Sequence, residues 1–521
     1  MFKILAIKGE KETVINIKEG TNLYSELAKN RLIEAAPCGG KGLCGKCKVE
    51  IVRNCPKPTE ADFEFLTKEE IERSSRLACK IKVSDDMTIK LTNYSAGFGG
   101  IKIINENIKI DEAYFALDIG TTTLEGVLID SKTNSQIVKI TKLNPQKAFG
   151  ADVFTRLNFS LESDEKSLLL KETIIRAINS MIETMCEKIN LDPKRISRVA
   201  VSANTTMIHM LLGQKVEKLA FAPFITDFLA PKDIKGKEIS LICENAIIHM
   251  SPASSSFVGG DITAGAVSLD LDKETHTTLF MDLGTNGEMI FANEGVFIGC
   301  SVAAGPAFEG AEMVCGMSAL SGAISKVSMN DDIAIKTIDD AAPKGICGSG
   351  LIDVMAVLIK EGLVDLTGKL VAKTENEVLN KRLKTISGME SFVLYEDDKS
   401  CIYLSQKDIR NFQLAKAAVR TGIEMLLEKE EAQPENIGAV YIAGGFGSHL
   451  SSENLFSCGL LPFKHNNIKV VGNTSLKGSI LSVSDEIFKK RIADFSKKVE
   501  VFLLSSHPDF QNLFVDNMMF E

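Results

Sequence analysis

Residues 116–128 are Ala-Leu-Asp-Ile-Gly-Thr-Thr-Thr-Leu-Glu-Gly-Val-Leu. This stretch predicts an apolar strand, an Asp-x-Gly-Thr turn that begins at Asp118, and a second strand. A glycine-rich hairpin tip of this kind aims backbone N–H groups and threonine hydroxyls at a phosphate. The aspartate at the strand end can hold Mg²⁺ and orient an attacking water, so Asp118 is a candidate catalytic residue. The candidate phosphate-binding residues of the turn are Gly120, Thr121, Thr122 and Thr123.

The same pattern recurs 164 residues later, where residues 280–291 are Phe-Met-Asp-Leu-Gly-Thr-Asn-Gly-Glu-Met-Ile-Phe. One such turn is weak evidence, since Asp-Gly and Gly-Thr pairs are common in hairpins. Two of them, each at the end of an apolar strand, predict two related lobes that face each other. Asp282 is then the second candidate catalytic residue. The candidate phosphate-binding residues of this turn are Gly284, Thr285, Asn286 and Gly287.

Two further glycine-rich elements follow. Residues 440–447 predict an apolar strand that runs into a Gly-Gly-x-Gly turn, whose backbone can pack against a nucleoside. Residues 345–353 predict a loop that opens a helix, and the N-terminus of that helix can meet a phosphate. No strand–helix unit begins with a GxGxxG fingerprint, which disfavours a dinucleotide site. The candidate residues of these elements are Gly444, Gly445, Gly447, Gly348, Ser349 and Gly350.

Cysteines cluster near the N-terminus, where five of the twelve fall between residues 38 and 79. Residues 38–47 have the spacing C-x5-C-x2-C with glycines between the thiols, and a fourth cysteine follows in Arg-Leu-Ala-Cys at 76–79. Glycines that tolerate positive φ let such a loop wrap a [2Fe–2S] cluster. Zinc also accepts C-x2-C spacing, but zinc sites usually present two such pairs. The predicted cluster ligands are Cys38, Cys44, Cys47 and Cys79, with Cys55 as a spare loop cysteine.

The surroundings of the cysteines favour iron–sulfur. Residues 2–7 and 12–17 predict a hairpin, residues 23–33 a helix, and residues 48–52 and 80–91 further strands. This segment resembles the [2Fe–2S] ferredoxin family, with five rather than four residues in the first gap of the plant-type spacing. The resemblance implies an α+β (β-grasp) ferredoxin domain over residues 1–94. A polar, glycine-rich linker over 95–112 would follow.

Composition excludes several classes of function. The chain of 521 residues has 45% hydrophobic and 25% charged residues, as in soluble globular proteins, and its net charge is −9. An acidic chain without basic blocks is a poor binder of nucleic acid or anionic membranes. No apolar stretch approaches the length of a membrane span, and the N-terminus lacks a signal peptide's apolar region. We therefore expect a cytoplasmic protein.

The order of turn, turn, helix entry and Gly-Gly-x-Gly resembles the actin, sugar kinase and Hsp70 ATPase superfamily. That resemblance implies an α/β, duplicated ribonuclease H-like fold, with a first lobe over 113–275 and a second over 276–521. ATP and Mg²⁺ would bind between the lobes. By this resemblance the phosphates lie between the two hairpins, and adenosine lies against the late glycine turn.

A ferredoxin domain fused to such an ATPase resembles the ATP-dependent reductive activators of corrinoid proteins. Further segments carry this resemblance, although spacing alone derives no chemistry for them: residues 144–146, 149–153, 203–209, 257–262, 304–310 and 405–410. It implies one-electron reduction of an inactive Co(II) corrinoid protein to Co(I) in an anaerobic methyltransferase system. A low-potential donor (ferredoxin, flavodoxin or a reductase) would supply the electron, and a homodimer is the default assembly.

Other classes of protein remain open at this point. A small-metabolite kinase with a redox domain, and a redox module that binds nucleotide without hydrolysing it, both fit the two halves. Radical dehydratase activators resemble the ATPase half, but the four-cysteine ferredoxin pattern counts against them. His209 lies in an apolar run and is expected to be a core histidine rather than a partner-facing one. Cys300, Cys315 and Cys347 are expected to be buried apolar residues rather than a second metal site.

Overall fold

A computed structural model describes the chain except residues 10, 31, 34–39, 41, 43, 44, 46, 92–98, 106–109, 311, 312, 399, 447–449 and 521. The N-terminal part forms a five-stranded mixed sheet with the order β2-β1-β5-β3-β4. Its strands are β1 (Phe2–Lys8), β2 (Lys11–Ile17), β3 (Lys48–Arg53), β4 (Ser75–Leu77) and β5 (Met87–Leu91). Its helices are α1 (Leu23–Lys29), α2 (Glu60–Phe65) and α3 (Lys68–Glu72).

This sheet confirms the predicted ferredoxin fold. β1 and β2 form the predicted hairpin, in which Phe2 pairs with Ile17. Helix α1 ends four residues earlier than predicted, because Asn30 caps it by donating its side-chain amide to the Glu26 carbonyl at 2.8 Å. The strand predicted from residue 80 begins only at Met87, since residues 78–80 form a 3₁₀ turn. That turn carries Cys79.

The first lobe is built on a seven-stranded sheet with the order β11-β12-β10-β7-β8-β9-β6. Strands β7, β8 and β9 form an antiparallel meander, and β10 and β12 continue the sheet parallel to β7. The strands are β6 (Gly99–Ile103), β7 (Ala113–Ile119), β8 (Thr123–Asp130), β9 (Gln136–Leu143), β10 (Ile196–Ala203), β11 (Ile234–Lys235) and β12 (Ile247–Met250). The helices are α4 (Val153–Leu161), α5 (Asp164–Ile189), α6 (Thr205–Leu212), α7 (Glu217–Ala220) and α8 (Gly260–Ser268).

The interval predicted as a linker, residues 95–112, contains a strand. β6 pairs antiparallel with β9 at the edge of the first-lobe sheet, with Ile101 opposite Ile140. Residues 99–103 are Gly-Gly-Ile-Lys-Ile, and backbone pairing with an open sheet edge suffices to hold such a segment. Within the described residues, part of this interval therefore belongs to the first lobe.

The second lobe has a six-stranded sheet with the order β23-β22-β13-β14-β15-β24 and two three-stranded sheets, β17-β16-β18 and β19-β20-β21. The strands are β13 (Thr278–Leu283), β14 (Gly287–Asn293), β15 (Val296–Val302), β16 (Ala323–Met329), β17 (Ile333–Thr337), β18 (Gly345–Ile346), β19 (Leu383–Ile386), β20 (Met389–Glu396), β21 (Cys401–Ser405), β22 (Ala439–Gly444), β23 (Ile468–Gly472) and β24 (Val499–Val501). The helices are α9 (Gly348–Lys360), α10 (Glu377–Asn380), α11 (Gln406–Lys429), α12 (Ser452–Ser457), α13 (Thr474–Ser482), α14 (Glu486–Ser496) and α15 (Phe510–Asp516).

The two lobes share one topology. The core order is β9-β8-β7-β10-β12 in the first sheet and β15-β14-β13-β22-β23 in the second, with matching strand directions. The predicted duplication is therefore confirmed in three dimensions. The first Asp-x-Gly-Thr turn joins β7 to β8, and the second joins β13 to β14.

Helix α13 belongs to the second half of the sequence but packs on the first-lobe sheet. Its Ser479 hydroxyl donates to the Leu117 carbonyl at 2.9 Å, and Leu476 shares a small buried core with Ala116 and Val127. The lobes are thus interlocked rather than merely adjacent. Among the described residues, no helix is both long enough and apolar enough to cross a membrane.

Candidate active site

A cleft of about 320 Å³ lies between the lobes, and both predicted turns open into it. Asp118 and Asp282 occupy equivalent positions, one residue before the end of β7 and of β13. Because the two sheets are related by duplication, the turns converge on one space. The predicted residues that line the cleft are Asp118, Gly120, Thr121, Thr123, Asp282, Gly284, Thr285, Asn286, Gly444 and Gly445.

Other predicted residues lie behind this lining. Thr122 is buried under the first turn, and Gly287 begins β14 against the side chain of Val302. Gly348 and Gly350 let helix α9 start close to neighbouring backbone, since an added Cβ would lie 2.1 and 2.2 Å from the nearest carbonyl oxygens. Ser349 is buried beside them, and Gly447 falls outside the described residues. Direct contact of these six residues with nucleotide stays a prediction.

The two turns touch each other across the cleft. The hydroxyls of Thr122 and Thr285 are 2.7 Å apart, and Thr285 donates to the Glu309 carboxylate at 2.7 Å. Asn204 donates its side-chain amide to the Thr121 hydroxyl at 3.1 Å. Asn204 reaches this place because it follows β10, the parallel neighbour of β7, at the same edge of the sheet. Opposite it, Gly444 ends β22, the parallel neighbour of β13.

Four acidic residues of the cleft were not singled out as nucleotide-site residues by sequence reasoning. Asp118 pairs across its hairpin with Glu125, and Asp282 pairs in the same way with Glu288. The signal was present, since a glutamate follows each aspartate by six or seven residues. Asp261 lies in the first turn of α8, directly after Gly259 and Gly260, in the segment 257–262 that had no derived chemistry. Glu309, which lies in the segment 304–310 that had no derived chemistry, accepts a hydrogen bond from Thr285 of the second turn.

Crowding of these carboxylates changes their acidity. Burial raises the pKa of Asp118 to about 7, and the Asp261 and Glu125 charges add to this, although hydrogen bonds from Ser475 and Asn473 oppose it. Burial likewise raises the pKa of Asp261 to about 6. The pKa of Asp282 is raised well above its usual value by burial and then by the neighbouring acids. The carboxylates that line the cleft therefore outnumber its positively charged side chains.

The raised pKa values give the ligand-free protein a defined pH dependence. Asp118 and Asp261 keep protons in the folded state that they lose in the unfolded chain, so unfolding releases protons. We expect their contribution to the free energy of unfolding to fall as pH rises from about 4 to about 7. Denaturant unfolding across this range measures it. Asp118→Asn should flatten the dependence, and an unchanged slope in that variant would contradict the assignment.

Asp118 is held by helix α13. The Ser475 hydroxyl donates to Asp118 Oδ1 at 2.6 Å, and the Asn473 amide donates to Oδ2 at 2.8 Å and to Glu125 at 2.9 Å. These donors lie 355 and 357 residues away in sequence and belong to no motif, so sequence reasoning had no signal for them. They fix the carboxylate's orientation at the edge of the first turn.

The late glycine turn is shaped for close backbone approach. Gly444 has a φ of 123°, and a Cβ there would lie 2.4 Å from the Leu283 carbonyl oxygen. A side chain is therefore excluded at the point where β22 meets the second turn. Phe446 follows, buried against Phe308 with ring centroids 5.9 Å apart, and forms an apolar wall of the cleft. Such a wall suits a nucleoside.

The candidate cluster site lies at one end of the N-terminal sheet. Gly40, Gly42 and Gly45 have φ values of 83°, 80° and 64°, so the loop between the cysteines uses the left-handed conformation expected of a cluster-binding loop. Cys47 and Cys79 are buried, and the chain segments that carry them are joined where Ala78 donates its N–H to the Cys47 carbonyl at 2.9 Å. Cys38 and Cys44 lie outside the described residues. The described part of the loop fits a [2Fe–2S] cluster.

The remaining candidates, His209 and three cysteines, pack among other residues of the protein. His209 is buried, with Nδ1 2.8 Å from the Thr205 carbonyl oxygen and Nε2 3.2 Å from the Thr226 hydroxyl, as expected of a core histidine. Cys300 is fully buried, and burial raises the pKa of its thiol. Cys315 and Cys347 pack in different apolar clusters. In the part of the chain described here, no three Cys, His, Asp or Glu side chains stand close enough to hold a metal alone.

Comparison with known proteins covers the whole chain. Residues 6–84 match the 2Fe-2S iron-sulfur cluster binding domain, residues 114–274 the RACo middle region, and residues 276–521 the C-terminal ASKHA domain of RACo. The chain is 32% identical over 434 residues to the corrinoid activation enzyme RamQ of Eubacterium limosum, which covers 81% of this chain and 72% of that protein. It is 24% identical to a [Co(II) methylated amine-specific corrinoid protein] reductase of Methanosarcina barkeri, over 77% of this chain and 75% of the relative.

A solved structure agrees with these relatives. The fold matches a reductive activator for corrinoid, iron-sulfur protein with a TM-score of 0.75 and 26% identity, over 100% of this chain and 98% of that one. The N-terminal match supports a [2Fe–2S] cluster, and the C-terminal match supports ATP binding. On this evidence, the chain belongs to the family of reductive activators of corrinoid proteins.

Proposed function

We propose that this protein uses ATP to drive the one-electron reduction of a corrinoid protein from its inactive Co(II) state to Co(I). The observation that carries the proposal is the union of two sites in one chain. A cleft built from two facing Asp-x-Gly-Thr turns lies in the same molecule as a ferredoxin domain with a glycine-rich cysteine loop. Relatives similar over most of the chain are named for the activation or the reduction of corrinoid proteins.

The need for ATP follows from the energetics of the electron transfer. A plant-type cluster near −400 mV is a weak donor for the Co(II)/Co(I) couple, which requires a very low potential. Each 59 mV of one-electron deficit costs about 1.4 kcal/mol, or roughly tenfold in the equilibrium constant. Hydrolysis of ATP to ADP and phosphate offsets several such steps if it changes the Co(II) state in the complex or prevents the return of the electron.

Residues of both lobes take part in the binding and hydrolysis of ATP. Thr121 and Thr285 present hydroxyls to the phosphates, and the backbone N–H groups of both glycine turns add donors. Asp118, fixed by Ser475 and Asn473, and Asp282 opposite it orient the attacking water. Mg²⁺, bound through phosphate oxygens, water and one or two of these carboxylates, would neutralise the charge that crowds the cleft. Gly444 and Gly445 border the adenosine.

The proposal extends to partners and setting. The substrate is a corrinoid protein of a methyl-transfer system, and a ferredoxin, flavodoxin or reductase of low potential returns the cluster to its reduced state. We infer a cytoplasmic enzyme that acts in anaerobic metabolism. A two-fold homodimer is the assembly we expect, because it is the commonest symmetric state of soluble proteins.

An anaerobic spectroscopic experiment tests the proposed function. The cluster-loaded protein, a low-potential reductant and a Co(II) corrinoid protein are mixed, and the visible spectrum is recorded with and without ATP. We expect the Co(I) spectrum to appear only with ATP. Hydrolysis of ATP without any change at cobalt, across several corrinoid partners, would contradict the proposal. A phosphorylated small molecule would then identify a kinase.

A further inference from the structure

One short segment connects the ATP cleft to the ferredoxin domain. It comprises residues 144–149, Asn-Pro-Gln-Lys-Ala-Phe, and is called the coupling turn here. It follows β9, and residues 145–148 form a 3₁₀ helix that contacts helix α1 of the ferredoxin domain. Residue spacing alone indicated no chemistry for this segment. Its position between the ATP cleft and the ferredoxin domain suggests a role in linking them.

The first face of the coupling turn is bonded to the first phosphate turn. The Asn144 N–H donates to the Thr122 carbonyl at 2.8 Å, and the Asn144 side-chain amide donates to the Gly120 carbonyl at 2.9 Å. Lys147 is fully buried, and its ammonium lies 3.4 Å from the Thr122 hydroxyl. Burying a cation costs folding free energy unless the charge is paired and hydrogen-bonded. Here the charge is held directly behind a predicted phosphate site.

The second face lies in the ferredoxin domain. Ala148 is buried in the hydrophobic core of that domain, and Phe149 packs against the same core. Tyr24 of helix α1 belongs to this core and is 1% exposed. A Cβ added at Gly40 would lie 2.7 Å from the Tyr24 ring, so this ring supports the cysteine loop. The coupling turn thus contacts the core on which the cluster loop rests.

A chain of hydroxyls extends the link to the second lobe. Lys147 can donate to Thr122, which donates to Thr285, which donates to Glu309. With the Thr122 and Thr285 hydroxyls 2.7 Å apart, the phosphate turns are in direct contact. A phosphate that separated the two turns would break this bond. Its negative charge then attracts the Lys147 ammonium toward the cleft.

We propose that the coupling turn links nucleotide binding to the attachment of the ferredoxin domain, with Lys147 as the positioning residue. Movement of Lys147 toward the phosphates draws Ala148 and Phe149 out of the ferredoxin core. Binding of ATP therefore loosens helix α1 and, through Tyr24, the support of the cysteine loop. This inference rests on the proposed function, since it requires ATP in the cleft, and it adds how the two sites communicate.

Hydrogen exchange of the cluster-loaded full chain tests this inference, with Mg²⁺ and a non-hydrolysable ATP analogue as the probe. In the unmodified protein, we expect exchange of the α1 amides to accelerate at least about fivefold on binding, the lower end of typical coupling between sites. Lys147→Met should abolish this response, and Lys147→Arg should restore it. Thr122→Val, which breaks the hydroxyl chain while leaving Lys147 in place, should also weaken it and serves if Lys147→Met fails to fold.

The matched control is Lys416→Met. Lys416 is also fully buried, and its ammonium donates to the Met519 carbonyl at 2.6 Å, but it lies in the second lobe away from the coupling turn. We expect this variant to keep the response of α1. Unchanged exchange in α1 of the unmodified protein, while calorimetry shows the analogue bound, would overturn the coupling but leave the proposed function standing. Absence of analogue binding would overturn both.

Discussion

Asp282→Asn is expected to slow ATP hydrolysis by about 100-fold or more, the usual loss when one preorganised charged group is removed from a transition-state site. Asparagine keeps the shape of the side chain but cannot offer an anionic oxygen to Mg²⁺ or polarise the attacking water. Steady-state phosphate release at saturating ATP measures the loss. Reduction of a corrinoid protein by this variant should fail to the same extent, because it depends on the hydrolysis.

The same substitution should stabilise the ligand-free protein. Burial and the charges of Asp261, Asp118 and Glu309 all raise the pKa of Asp282, so its ionised form is unfavourable in the folded state. A neutral amide removes that repulsion. We therefore expect a higher melting temperature for Asp282→Asn without nucleotide at neutral pH. This opposite effect on activity and stability would separate a site residue from one needed for folding.

Asp130→Asn is the matched control for this prediction. Asp130 is also buried, but it lies at the far end of β8 and accepts hydrogen bonds from Thr133 at 2.6 Å and from the Lys132 N–H at 3.2 Å. Its loss should cost about 1 kcal/mol of stability and leave hydrolysis unchanged. An Asp282→Asn protein that hydrolysed ATP at the normal rate would remove Asp282 from the site.

Cys79→Ser is expected to abolish formation of Co(I), because a [2Fe–2S] cluster requires four protein ligands and serine is a poorer one than a thiolate. The visible absorbance of the cluster should bleach or shift in the same variant. ATP hydrolysis should continue, since the cleft is built by the two lobes. Absorbance, phosphate release and cobalt reduction, measured on one preparation, distinguish loss of the cluster from loss of the fold.

Cys55→Ser provides the control within the same domain. Cys55 follows β3, and its thiol faces the carbonyl oxygens of Pro56 and Ser74 at 3.5 and 3.8 Å. This variant should keep the cluster and the activity. If Cys55→Ser bleached the cluster while Cys79→Ser kept it, the predicted ligand set would be wrong.

Local sequence was sufficient for the N-terminal hairpin and for the turns at the centre of the candidate site. Turn geometry and strand alternation depend on near neighbours in the chain. Consecutive residues therefore predict the hairpin of residues 2–17, the duplicated Asp-x-Gly-Thr turns and the Gly-Gly turn at 444–445. Duplication then determined that Asp118 and Asp282 face one cleft. Even the acidic partners Glu125 and Glu288 follow from hairpin register.

Tertiary structure alone decided which distant residues complete the site. Ser475 and Asn473 reach Asp118 because helix α13 packs on the other lobe's sheet, and the pairing of α13 with α8 depends on contacts between surfaces far apart in the chain. The coupling turn is a second example. Nothing in its own sequence indicates a function, which follows only from its contacts with the first phosphate turn and with the ferredoxin core. Sequence determined each element and its turn because those depend on local geometry, whereas neighbours across domain boundaries are set by packing, which no local pattern encodes.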